Sequence, residues 1–467
     1  MKKPPVYIVI VLLILFYGCK KDTFITSKDA VINLSADTLH FDTVFTTAGS
    51  VTQFFKIVNG NNQKLEINNV TLAGGTTSAF KINVDGTTGP DVKNIELDAN
   101  DSIFVFVTVT INPNATSLPF IMRDSIIISF NGNSQFVQLE AWGQNAHFLR
   151  NLKITGNAVW TNDLPYVIIG GLQVDTTASL TIQQGCKVYM HADAPLLIDG
   201  SLQVNGGKSD STRVYFKGDR LDYPYNEYPA AWPGIYFRGT SKNNVLQYAV
   251  IQNAYQGAVV QELSVNANPK LILNECTIDN IYDAGIYGIE TSINARNCLI
   301  SNCGKNVQLV YGGDYQFVHC TMPTIANDYI SHTDPVLYIS NAVQVSGVTY
   351  SHNLNADFTN CIIWSQNGTV DDDVVTSKLP ASSFNVNFTN CLWKVKNNPS
   401  NLASATNIIS NQDPVFDSIN VSKRIFNFRL KDSSPAIKAG ANAGVVSDLD
   451  GNPRPVNQPD LGAYQKQ

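Results

Sequence analysis

A cysteine recurs at 276, 298, 320, 361 and 391, and the first three stand 22 residues apart. Two residues after each comes an apolar side chain, as in Ile278, Ile300, Met322 and Ile363, and two further on Asn280 and Asn302 close the pattern. Ala249, Ile251 and Asn253 extend the same columns upstream. Small-x-apolar-x-Asn describes a short strand with two inward side chains and a bend at its end, because Asn tolerates the left-handed backbone and stacked amides can bond from turn to turn. A period in the twenties with loops of unequal length predicts a solenoid.

A second duplication supports the coil. "GGLQVDTTASLTIQQGCKVYM" at 170–190 is echoed by "GSLQVNGGKSDSTRVYF" at 200–216, which puts Leu172 and Val174 in register with Leu202 and Val204. Together with "WPGIYF" at 232–237 and "DLDGNPRPVNQPDLGAYQ" at 448–465, the region 147–467 resembles the right-handed parallel β-helix of the pectate-lyase type. That resemblance implies the fold; it leaves the activity open, since β-helices serve as lyases, hydrolases, adhesins and inert stalks. Where the fold is catalytic, it implies carboxylates on neighbouring turns, or calcium with a basic residue as base.

The cysteines themselves predict no chemistry. Seven remain after Cys19, an odd number, and side chains on successive rungs stand about 4.8 Å apart, farther than the roughly 3.8 Å between bridged Cβ atoms. Paired C-x-x-C spacing for zinc is absent. The expectation is an inward ladder of small hydrophobes, with Cys303 off the ladder.

From 31 to 146 the pattern is alternation. Ile103, Val105, Val107, Val109 and Ile111 share one face of a strand, as do Val137, Leu139 and Ala141. Turn signals such as "VNGNN", "AGGTT" and "FNGN" separate seven or eight short strands, the signature of a β-sandwich. The stretch "FFKIVNGNNQKLEINNVTLAGG" resembles the immunoglobulin-like domains at the head of many exported bacterial proteins, which implies a spacer or interaction module. The expected fold is therefore all-β, an immunoglobulin-like sandwich followed by a β-helix with a C-terminal cap.

Lys2 and Lys3 precede an apolar run from Val6 to Tyr17, too short for a comfortable bilayer span and of the length of a signal-peptide core. Gly18-Cys19 follows, and the whole resembles a bacterial lipoprotein signal, although Phe16 stands where Leu is usual. The resemblance implies lipidation of Cys19, a tether over 20–30 and anchoring to the outer membrane of the cell envelope.

A net charge of −6 excludes a nucleic-acid binder, which needs a basic excess against phosphate. The residues preceding the ladder cysteines and those flanking the apolar column are expected to face solvent, giving Glu275, Asp279 and His319 as groove candidates. Glu275 and Asp279, four residues apart on one strand, are about 13 Å apart, beyond a glycosidase carboxylate pair. Asp371-Asp372-Asp373 and the loop at Asp448 and Asp450 can be read as calcium sites, but a solvated tip and a cap on the last turn, with Arg454 and Asp460 paired, are preferred. His332 and Asp334 are read as a turn rather than a base and its orienter. Tyr223, Tyr225, Tyr228 and Trp232, in the loop 220–232, are candidate sugar-stacking residues. No cofactor is expected, calcium excepted. Glycan binding or a passive surface role is the first functional expectation, and a polysaccharide lyase or glycoside hydrolase the second.

Overall fold

The computed structural model describes residues 23–45, 52–110 and 120–467; Cys19 and Ile111 lie outside them. The chain divides into two units, 1–145 and 146–467.

The first unit is a sandwich of two five-stranded sheets. One orders Ile32–Leu34, Gln53–Asn59, Ser102–Val109, Phe80–Val84 and Thr87–Thr88, all antiparallel. The other orders Thr38–Phe45, Asn133–Gln144, Phe120–Phe130, Leu65–Leu72 and Asp91–Leu97, with only the first pair parallel. The period-two columns meet between the sheets: Val105, Val107 and Val109 are buried, as are Val137, Leu139 and Ala141. The ten strands among the described residues exceed the seven or eight expected, because the turn signals do not mark the shortest ones. The outer side of Ser102–Val109 is not polar, since Phe104 and Phe106 stack there beside Phe54 with Lys56 over Phe104.

The second unit is a parallel β-helix, 26 strands paired turn upon turn. Each full turn contributes one strand to each of three faces. Face one includes Asn244–Gln247, Leu271–Asn274, residues 291–296, residues 313–318, Leu354–Thr359 and Phe384–Thr389. Face two includes Ala249–Gln252, Thr277–Asp279, Leu299–Ser301, Thr321–Ile325, Ile362–Gln366 and Leu392–Trp393. Face three includes Ile235–Phe237, Ala258–Gln261, residues 284–289, residues 305–310, Leu337–Ser340 and Val374–Ser377.

The cysteine column lies inside, at the start of face two. All seven described cysteines are buried free thiols. Cys276, Cys298, Cys361 and Cys391 each donate through Sγ to a carbonyl of the preceding turn, at 3.2 to 3.6 Å. A small hydrophobe with one weak donor suits that position. Cys303 leaves the column but stays in the core, bonded to the Ser301 carbonyl. Under face one, Phe317, Phe358 and Phe388 stack at 5.0 and 4.8 Å.

The bends explain the asparagines. Asn253, Asn280 and Asn302 hold φ of 62°, 57° and 51° between faces two and three, and the Asn280 amide donates to Asn253 Oδ1 at 2.9 Å. The bend between faces one and two is a second left-handed column, Tyr248, Glu275, Asn297, His319, Asn360 and Asn390. These six precede the small inward residue of each turn; Glu275, Asn297, His319 and Asn360 are buried, which corrects the expectation that the column faces solvent, while Tyr248 and Asn390 stay part-exposed.

What covers them is the C-terminal segment. The outer side of face two carries Leu299, Ile362, Trp364 and Leu392, an apolar strip onto which Phe416, Phe428, Leu430, Leu449, Leu461 and Tyr464 pack. The bend asparagines tie it down: Asn390 Nδ2 donates to Ala439 O at 2.8 Å, Asn360 Nδ2 to Ala441 O at 2.7 Å and Asn297 Nδ2 to Ser447 O at 2.6 Å. The segment is therefore a strap running back across many turns, not a cap on the last one. Asp448 accepts from the N–H groups of Asp450, Asn452 and Gln465, so its own backbone fills the carboxylate. Arg454 donates to Asp460 O, Gly462 O and Asn297 Oδ1 rather than to the Asp460 carboxylate.

Candidate functional site: a polar trough on face one

Face one keeps its outer side open. Outward positions alternate with the buried ones, so each strand offers two or three side chains, most of them amides, hydroxyls or acids, with Val245, Ile272, Val318 and Arg296 as the exceptions. A cavity of about 480 Å³ lies over this face, walled by the loop 263–269 and floored by Ser292, Asn294, Asp314, Gln316, Asn355 and Asp357. A second hollow of about 430 Å³ continues from Asn294 and Gln316 past Arg296 to Ala443, Gly444 and Val445 of the strap. The two meet at Asn294 and Gln316 and form one trough across the face.

Hydrogen-bonded ladders set its side chains. Asn385 Nδ2 donates to Asn355 Oδ1 at 2.9 Å, and Asn355 Nδ2 to Asp314 Oδ1 at 2.7 Å. In the neighbouring column Ser404 Oγ donates to Asn387 Oδ1 at 2.7 Å, and Asn387 Nδ2 to Asp357 Oδ1 at 2.9 Å. Each ladder ends on a carboxylate whose second oxygen has no protein hydrogen bond among the described residues. Asp314 and Asp357 sit on adjacent rungs, offset by two residues because Gln316 is the partner of Asp357. One rung and two residues along the strand set them roughly 8 Å apart. Arg296 is exposed on the same face, with Nε 3.6 Å from Glu275 Oε1.

The residues singled out in the sequence lie elsewhere. Cys19 is outside the described residues. Glu275 is buried under the strap, accepts from Asn297 Nδ2 at 3.3 Å, and is raised above the usual carboxylate range by burial. His319 is buried in the same bend column; burial first, then the Arg454 charge, push its pKa down to about 3. Asp279 is half-buried on face two, where it accepts from Ser301 Oγ at 2.7 Å, and loss of water raises its pKa. Glu275 and His319 lie buried in the bend column and Asp279 on the strand of face two, so the three do not line an open groove.

Trp232 is corrected as well. It is 1% exposed, and its indole N–H donates to Gln252 O at 2.9 Å inside the core. Tyr223, Tyr225 and Tyr228 do stand on the surface, in a cluster with guanidinium ends. Arg220 lies 3.8 Å over Tyr225, Tyr225 meets Tyr228 edge-on at 5.4 Å, Tyr228 meets Tyr329 edge-on at 5.1 Å, and Arg424 lies 4.4 Å over Tyr329. Arg424 also pairs with Glu227 at 2.9 Å. A ring face used by a guanidinium is lost to a sugar, so within this cluster the most open ring is Tyr223, 73% exposed.

The acidic run is likewise occupied. Asp371 pairs with Lys396 at 2.9 Å, Asp372 accepts from the N–H groups of Lys396 and Asn397, and Asp373 is fully buried 3.5 Å from His332 Nε2. His332 thus faces Asp373 rather than Asp334, and the expected solvated tip is replaced by one exposed, one bonded and one buried acid. Among the described residues no group of three or more His, Cys, Asp or Glu side chains is placed to hold a metal ion.

Asp314, Asp357 and Arg296 escaped the sequence reading because it followed only columns flanking the cysteines. Their signal was present in "GDYQFV", "LNADFT" and "FNVNFT", where alternation about Phe317, Phe358 and Phe388 marks one face, and register places the acids side by side.

No protein-family model matches the chain, and no curated protein is significantly similar to it. Among solved structures, a family 123 glycoside hydrolase from Clostridium perfringens is similar over 28% of this chain and 30% of its own, with 12% identity and a TM-score of 0.20. The PapD-like domain 7 of human CEP192 is similar over 28% of this chain and 93% of its own, with 12% identity and a TM-score of 0.18. The Salmonella enterica SafA pilin in complex with the SafB chaperone gives 26% and 56%, with 13% identity and a TM-score of 0.17. The chain thus spans less than a third of the length of that hydrolase.

Proposed function

We propose that the trough on face one binds an extended polysaccharide, and that the protein works from the cell envelope, held to the outer membrane by a lipid on Cys19. The observation that carries the reading is the trough's composition: a long floor of Asn, Gln and Ser side chains with Asp314 and Asp357 among them, part of it pre-ordered by ladders, offers many weak hydrogen bonds along one direction. Ordering those amides before binding lowers the entropy cost of the complex. Affinity electrophoresis against polygalacturonate, xylan and hydroxyethylcellulose tests it. The wild type should be retarded by at least one of them, and Asn294→Ala with Gln316→Ala should weaken that retardation about tenfold, as loss of two or more ligand hydrogen bonds does. Unchanged retardation in a folded double variant would overturn the proposal.

A second reading, a polysaccharide lyase or glycoside hydrolase, is favoured by one feature. Asp314 and Asp357 share the trough with Arg296, at a separation of roughly 8 Å, within the range of inverting glycosidase pairs. Release of reducing or unsaturated sugar ends, lost in Asp357→Asn, would establish it; dependence on added calcium would point to the lyase form.

A further inference from the structure

We infer that face three carries a separate carbohydrate-binding surface, a column of tyrosines that takes a neutral, extended β-1,4-linked glycan. The central outward position of this face reads, turn by turn in register, Tyr236, Val259, Tyr287, Gln308, Tyr338 and Val375. A tyrosine thus returns every second turn, about 9.6 Å at two strand spacings. Val259 points outward yet is 3% exposed, so its neighbours close over it. The tyrosines are half-buried. The hydroxyls of Tyr287 and Tyr338 have no hydrogen bond to the described residues, while that of Tyr236 donates to Pro233 O at 3.1 Å.

Charge and spacing select the ligand. Two ion pairs stand at the margins of the strip, Arg238 with Asp199 through Nε at 2.7 Å and Lys305 with Asp283 at 3.0 Å, and the six central residues carry no charge. An uncharged ligand meets no ion along that central line. In an extended β-1,4-linked chain every second sugar shows the same face, so a polymer laid along the coil axis presents an apolar sugar face to each tyrosine in turn. Stacking supplies the apolar contact, and the Tyr hydroxyls and Gln308 supply polar partners. Tyr255 and Tyr282, stacked at 5.5 Å and exposed at 45% and 54%, widen the surface at its edge. A protein partner would call for a compact cluster of anchors, whereas these rings form a line with a fixed repeat.

The surface is distinct from the trough, so the test is made in the Asn294→Ala, Gln316→Ala background. Affinity electrophoresis in hydroxyethylcellulose, xylan and galactomannan should still retard this protein with at least one of the three. Adding Tyr287→Ala and Tyr338→Ala should weaken that retardation about tenfold or more, the usual size of losing two stacked rings, whereas Tyr287→Phe with Tyr338→Phe should keep most of it. Gln308→Arg, which leaves every ring in place and adds bulk and charge between two of them, should also weaken it. No retardation by any of the three polymers, or retardation untouched by both the alanine pair and Gln308→Arg, overturns the inference while leaving the trough to be judged on its own variants.

Discussion

His319 is neutral because its neighbours leave it no alternative. The Ala441 N–H donates to Asn360 Oδ1 at 3.0 Å, which turns the amide so that Asn360 Nδ2 points at His319 Nε2, 2.9 Å away. A donor facing Nε2 makes that nitrogen an acceptor, and the buried Arg454 opposes a second positive charge. The folded pKa, about 3, lies below the ordinary 6.5. The unfolded chain therefore takes up the proton first, and stability present above pH 6.5 is lost as pH falls toward 3. The loss from this group should be on the order of 3 kcal/mol by pH 4. Melting curves at pH 7 and pH 4 should show a drop in Tm for the wild type that shrinks in His319→Gln. Equal drops in the two proteins would mean that other groups dominate the acid response. The same burial makes the cysteines inert: all seven described thiols should resist a thiol reagent in the native protein and react once it is denatured.

The strap joins no sheet of the coil. Its hairpin, Phe416–Asn420 with Ile425–Leu430, pairs only with itself, yet its side chains cover the apolar strip on face two. Removing residues 413–467 should expose Leu299, Ile362 and Leu392 together and strip the bend asparagines of their carbonyl partners. Such a truncated protein should bind a hydrophobic dye and melt well below the full chain; a melt unchanged from the full chain would show that the coil carries its own stability. The loop 220–232 is held by similar means, since Arg424 of the strap hairpin reaches Glu227 and Tyr329. Its aromatic character is thus partly accounted for by packing.

At the level of the whole molecule, the β-helix divides its work by face. Face two is covered by the strap, face one is a polar trough, and face three shows tyrosines. No helix among the described residues is long and apolar enough to cross a membrane, and the proposed membrane attachment rests on Cys19. Wild type should therefore partition into detergent and label with a fatty-acid probe, and Cys19→Ala should do neither. Labelling that survives the substitution would place the lipid elsewhere or remove it from the account.

Much of the architecture was local and so legible in the residues. The 22-residue spacing, the small inward residue and the Asn at each bend depend on one turn resembling the next, and alternation in "SIFVFVTV" depends only on a strand having two sides. Whether a given outward column meets water depends on what is packed over it, and that is a contact between residues far apart in the chain. Nothing near Asn297 or His319 announces that Ser447, Arg454 and Gly462 will lie on them, nor does "AAWPG" say that Trp232 turns inward. The trough and the tyrosine column have the same origin. Asp314 and Asp357 are 43 residues apart, and Tyr236, Tyr287 and Tyr338 are each one ring in a different turn, so only the register of parallel strands brings them into line.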